Sequence, residues 1–164
     1  MKGVAGRLQM VRGRIATACA RAGRDPGSVR LIAVSKTVSV AGGAEAMAAG
    51  QTLFGENRVQ EALAKMAEAG PQATWHLVGH LQKNKARHAA GAFELIHGLD
   101  DRELALELDR RAAARSMTQP VLVQANLSGE ARKSGSDEDG LMPLLTAVAG
   151  LPNLDLRGLM IIPP

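Results

Sequence analysis

The run RLIAVSK, residues 30–36, carries four apolar residues and then ends in Ser35 and Lys36. A lysine at the end of a buried strand has a specific chemistry available to it. Desolvation disfavours its ammonium form, and the free amine is a nucleophile toward aldehydes. Taken alone, such a lysine more often turns out into solvent, because lysine is rarely buried. Other polar residues at the ends of apolar runs give it weight. Glu56 and Asn57 end one run, His76 lies inside the next with Gly79 closing it, His97 and Asp100 bracket the end of a third, and Asn126 and Ser128 follow a fourth. In parallel α/β folds ligands sit where the carboxyl ends of the strands converge. Turn chemistry also places polar residues at strand ends, so the convergence depends on the topology.

The elements that would position these side chains follow from hydrophobic period. Six short, partly β-branched runs read as strands: residues 30–35, 52–56, 75–79, 93–99, 121–127 and 156–162. Between them lie segments with helical spacing. Val59, Leu63 and Met66 recur at i, i+4 and i+7 ahead of the Gly70-Pro71 stop. In residues 100–116 acidic residues crowd the first turn and arginines the last, as the helix dipole favours. Residues 41–50 and 81–93 are weaker helices because of their glycines, and a further helix is expected from Pro143 to Ala149, with the proline in its first turn. Val4, Leu8, Val11 and Ile15 place an opening helix before the first strand. One helix followed by repeated β-α units predicts a parallel sheet covered by helices. No G-x-G-x-x-G follows the first strand, and the glycines of AGGAEAMAAG have no phosphate-binding spacing. Six strands also fall short of the eight that a closed (β/α)8 barrel takes.

Composition narrows the function classes. A chain of 164 residues, 46% hydrophobic and 22% charged, suits one globular domain. No stretch approaches the ~18 consecutive apolar residues of a membrane span, and the basic start has no apolar signal core, so a cytoplasmic protein is expected. Cys19 is the single cysteine and has no ligand-spaced partner, which argues against disulfide, zinc and redox chemistry and for a packed helix residue. The net charge of +4 is scattered except in KNKARH, residues 83–88. Two phenylalanines, one tryptophan and no tyrosine leave little for base stacking, so no specific nucleic-acid partner is expected.

Five motifs, LIAVSKT, FGENRVQEALAK, WHLVGHLQKNK, VLVQANLSGEARKSG and LPNLDLRGLMIIPP, stand in this order along nearly the whole chain. Together they resemble the YggS/PROSC family of pyridoxal phosphate (PLP) homeostasis proteins. The resemblance implies a fold-type III, TIM-like (β/α)8 barrel related to the N-terminal domain of alanine racemase. It implies that PLP is held as a Schiff base on Lys36, with Asn57 near the cofactor and His76 and Met160 lining the pocket. Lys133 matches a lysine of a K-x-G loop near the pocket mouth, read as a loop charge. The family's last two strands, which carry its phosphate-holding segment, have no counterpart here, so residues 1–164 read as a single barrel domain lacking them and as a fragment of a longer product. The longer parent is expected to bind PLP through Lys36, and such a chain to bind it weakly or not at all. Val38 replaces a second lysine common in relatives.

The implied role is a non-catalytic carrier or buffer of PLP in vitamin B6 and amino-acid balance, a monomer where the barrel is complete, with PLP-dependent apoenzymes as recipients and no membrane partner. Two alternatives remain open. One is an interaction module in which Lys83, Lys85, Arg87 and His88 bind an anion or RNA, with a steep salt dependence. The other is a racemase-like PLP enzyme, which the absence of tyrosine disfavours, because such racemases use a lysine and a tyrosine on opposite cofactor faces.

Overall fold

A computed structural model describes residues 3–127 and 134–163. Helix α1 (Val4–Arg21) leads into β1 (Ala33–Val34), α2 (Val40–Ala48), β2 (Leu53–Glu56), α3 (Val59–Ala69), β3 (Thr74–Leu77), α4 (Ala86–Ala89), β4 (Leu95–Leu99), α5 (Arg102–Ala113), β5 (Gln119–Ala125), α6 (Glu138–Ala149) and β6 (Leu154–Ile161). Each of the six expected runs overlaps a strand, with β3, β5 and β6 starting one or two residues earlier, and Ser128 and Lys133 lie outside the described residues. Among the described residues no helix is long and apolar enough to cross a membrane.

All neighbouring strands are parallel, and their spatial order is their order in the chain. That order decides between the two architectures sharing a β-α repeat. Right-handed crossovers that never reverse direction put every helix on the same face, whereas a doubly wound sheet reverses at its switch point. The six strands are therefore one wall of a (β/α)-barrel, with β1 and β6 at its edges among the described residues.

Alternation along each strand separates two layers. Phe54, Trp75, Leu77, Ile96, Val121 and Val123 join Leu104 and Leu108 of α5 and Val148 of α6 in the buried core. Phe54 stacks on Trp75 with ring centroids 5.2 Å apart. The intervening residues face the barrel interior. There Gly55 has no side chain, and a Cβ would come within 2.9 Å of Ile32 and 3.1 Å of Val78, which close over it.

Helix ends follow the polar residues beside them. Asp101 and Ser39 accept hydrogen bonds from Leu104 N and Gly42 N and so cap α5 and α2. Helix α6 corrects the sequence reading: Asp137 accepts from Gly140 N and starts the helix at Glu138, so Pro143 lies inside it. The acidic run supplies both a cap and dipole-favoured charges, and these outweigh the preference of proline for a first turn. Val4, Leu8, Val11 and Ile15 of α1 do form its partly buried face, and Cys19 is buried on the same helix.

Candidate functional site

The strands bring their carboxyl ends together around a cavity of about 400 Å³. Val34 and Lys36 come from β1 and the turn after it, Asn57 from the turn after β2, Val78, Gly79 and His80 from the end of β3, Gln124 from β5, and Met160 and Ile162 from β6. Three of the four site residues expected from sequence, Lys36, Asn57 and Met160, thus line one space. The close approach of the turns requires glycine: a Cβ on Gly79 would lie 2.5 Å from the Asn57 carbonyl oxygen, and one on Gly98 would lie 2.5 Å from that of Gly79.

His76 is not among the lining residues. It sits deeper in the interior, its Nδ1 3.0 Å from His97 Nε2 and its Nε2 3.4 Å from Glu94 Oε1, which Arg30 in turn holds at 2.8 Å. One nitrogen of the His76–His97 contact carries the shared proton. Burial pushes His76 below the usual histidine value, and burial together with the neighbouring His76 pushes His97 down to about 4. Both rings are therefore neutral near pH 7.

Lys36 is exposed, as a lysine at a strand end more often is. β1 pairs only with β2, so nothing among the described residues shields that side, and Val34 in the same row is 46% exposed. Glu56 departs from expectation. It ends β2 on the helix-covered face, fully buried, where Ser35 Oγ and Lys65 Nζ each donate to its Oε1 at 2.6 Å.

The sequence reading missed Gln124 and His80. Gln124 is almost fully buried between Val123 and Ala125, its Nε2 donates to Ser134 O at 3.0 Å, and its Oε1 has no partner. A glutamine inside an apolar strand was the available signal. His80 is turned by Asp100, whose Oδ2 lies 3.1 Å from its Nδ1. The basic segment is partly engaged elsewhere: Lys83 pairs with Glu103 at 2.7 Å, and Arg87 donates to His88 at 2.9 Å. No group of three or more His, Cys, Asp or Glu among the described residues could hold a metal ion.

A barrel wall with an amine, two side-chain amides and apolar side chains around one cleft defines a small-molecule site of the parallel α/β-barrel class. Residues 7–164 match the family model described as alanine racemase, N-terminal domain. A relative from Pseudomonas aeruginosa named pyridoxal phosphate homeostasis protein is 46% identical over 164 residues, covering 99% of this chain and 71% of the relative. One of the same name from Escherichia coli K12 is 43% identical over 167 residues, covering 99% and 71%. Among solved structures, PipY of Synechococcus elongatus with PLP bound superposes with a TM-score of 0.83 at 42% identity, covering 98% of this chain and 71% of that one. The chain belongs to the alanine racemase N-terminal domain family and, within it, to the YggS/PROSC family of pyridoxal phosphate homeostasis proteins.

Proposed function

We propose that the protein binds pyridoxal 5'-phosphate and carries or buffers it in vitamin B6 and amino-acid homeostasis, with Lys36 as the covalent anchor. The observation that carries this reading is the meeting of Lys36, Asn57 and Met160, from the ends of three separate strands, around one cavity of about 400 Å³. That volume lies in the range of cofactor pockets, roughly 300–1,000 Å³. The residues present fit the group: an amine, the amides of Asn57 and Gln124, and apolar side chains to flank a flat ring. When bound, the cofactor would supply an aldehyde, an electrophile toward which a lysine amine is nucleophilic.

Each residue has a part. Lys36 supplies the amine. Val34, Val78, Met160 and Ile162 provide apolar surface that keeps water from a ring lying among them. Asn57 offers a donor and an acceptor at the cavity wall. His76 acts from behind the lining through the neutral pair with His97. The described lining residues include no arginine, and a phosphate calls for a cation and backbone N–H groups. On this reading two further strands, between β6 and β1, complete the wall and carry that function; the unpaired edges of β1 and β6 support it.

A carrier fits better than a catalyst. The sequence contains no tyrosine to act as a second base on the opposite cofactor face. The recipients on this reading are PLP-dependent apoenzymes.

Incubation with PLP, borohydride reduction and peptide mass spectrometry test the assignment. Pyridoxyl is expected on Lys36 well above Lys83 and Lys85, and it is absent from that peptide in Lys36→Ala. Equal labelling of all lysines would overturn it.

A further inference from the structure

We propose that Glu56, Glu61 and Lys65 form a clamp on the helix-covered face of the sheet that aims Lys36 into the cavity, a positioning role that rests on Lys36 being the cofactor-bearing amine. Lys65, on α3, reaches down to the end of β1. Its Nζ donates to the main-chain oxygen of Ser35 at 2.7 Å, to Glu56 Oε1 at 2.6 Å and to Glu61 Oε1 at 3.2 Å. Ser35 Oγ donates to the same Glu56 oxygen at 2.6 Å. Glu61 Oε1 also accepts from Thr37 N at 3.4 Å. Both chain neighbours of Lys36 are therefore held, Ser35 through its carbonyl and hydroxyl, Thr37 through its amide.

The held turn is unusual in two ways. Thr37 has φ of 63°, a left-handed conformation that a β-branched residue adopts only when its surroundings impose it. β1 contributes two ladder residues and has one partner strand, so the ladder alone fixes the turn weakly. Side chains of successive strand residues point to opposite faces. Pinning Ser35 against Glu56 and Lys65 on one face thus directs Lys36 to the other.

Energetics argue for a role beyond stability. Glu56 is 0% exposed, and a buried ion pair returns little net stability compared with apolar residues of similar volume. Such a pair does fix geometry, because each hydrogen bond has a narrow range of distance and angle. For a nucleophilic amine, orientation converts directly into rate.

The test uses the double variant Glu56→Gln/Lys65→Met, which removes the buried Glu56 charge and its partner together and leaves only the partly exposed Glu61 without Lys65. Three quantities are compared with the parent: the rate of pyridoxyl incorporation at Lys36, the rate of Lys36 acylation by acetic anhydride relative to Lys83, and amide hydrogen exchange over residues 36–38. The expected result is a folded variant with Lys36 incorporation slowed ~10-fold, an altered Lys36-to-Lys83 acylation ratio and faster exchange in the turn. Lys65→Arg, which keeps the charge, restores part of the rate. A folded double variant with parental rates and parental exchange overturns the clamp. Should the double variant not fold, Glu61→Gln decides, since that side chain is partly exposed: faster exchange at Thr37 with slower incorporation supports the clamp, and no change in either refutes it. If the parent shows no preference for Lys36, the anchor assignment fails, while acylation and exchange still decide whether the clamp orders the turn.

Discussion

At the scale of single residues, the interior histidines show how burial sets charge. His97 titrates about 4 in the fold against an ordinary value of 6.5, so the folded state resists a proton that the unfolded chain accepts. Its contribution to stability is whole above pH 6.5 and is lost progressively as pH falls toward about 4. A shift of that size corresponds to about 3 kcal/mol. Urea unfolding at pH 7 and pH 4.5 should show that loss, and His97→Gln should flatten it. An equal slope in the variant would assign the acid sensitivity elsewhere. Glu94, with Arg30 hydrogen-bonded beside it, is held below the usual carboxylate range and stays charged next to His76 over most of that window. At Lys65, burial favours the neutral amine, but hydrogen bonds to Glu56 and Glu61 outweigh it and hold the ammonium above the usual lysine value. The residue that anchors the turn is thus charged at any physiological pH.

Elements owe their positions to a few backbone constraints. The turns after β2 and β3 and the end of strand β4 approach so closely that only hydrogen fits on Gly79 and Gly98. Gly79→Ala would drive a methyl group into the Asn57 backbone, which cannot rotate away as a flexible side chain would. The expected cost is about 1–3 kcal/mol of stability, read as a lower melting temperature, together with weaker pyridoxyl labelling of Lys36 as Asn57 is displaced. Unchanged labelling in a folded Gly79→Ala protein would separate the turn from the site. Helix α6 shows the opposite balance: one exposed proline is tolerated in its interior because Asp137 caps it and Leu144 and Val148 are buried against the core.

At the scale of the whole fold, the wall formed by the described residues is open, and the consequence is exposed strand surface. Leu159 and Ile161, alternate residues on the outer face of β6, are each 51% exposed, and Ile162 is 55% exposed. An unpaired apolar edge is a template for further strand pairing. The described chain is expected to self-associate as its concentration rises, and Leu159→Lys with Ile161→Lys should raise the concentration at which light scattering first detects it. No difference between parent and variant would show that this edge is protected in solution. Exposure of Lys36 and Val34 has the same origin at the other edge, where β1 has one neighbour only.

The sequence by itself determined the six strands and the alternating helices and singled out Lys36 as a strand-end candidate, because apolar period and strand-end polarity are local properties of the chain. It also determined the family, because five motifs in fixed order constrain one another. Tertiary structure decided that the strands run in order and that, of the residues the resemblance implied, Asn57 and Met160 join Lys36 around one cavity while His76 stands behind them with His97. It also turned Glu56 away from the cavity to meet Ser35 and Lys65. Which face a strand-end side chain takes depends on register and twist summed over neighbouring strands, and that information is shared among residues far apart in the chain.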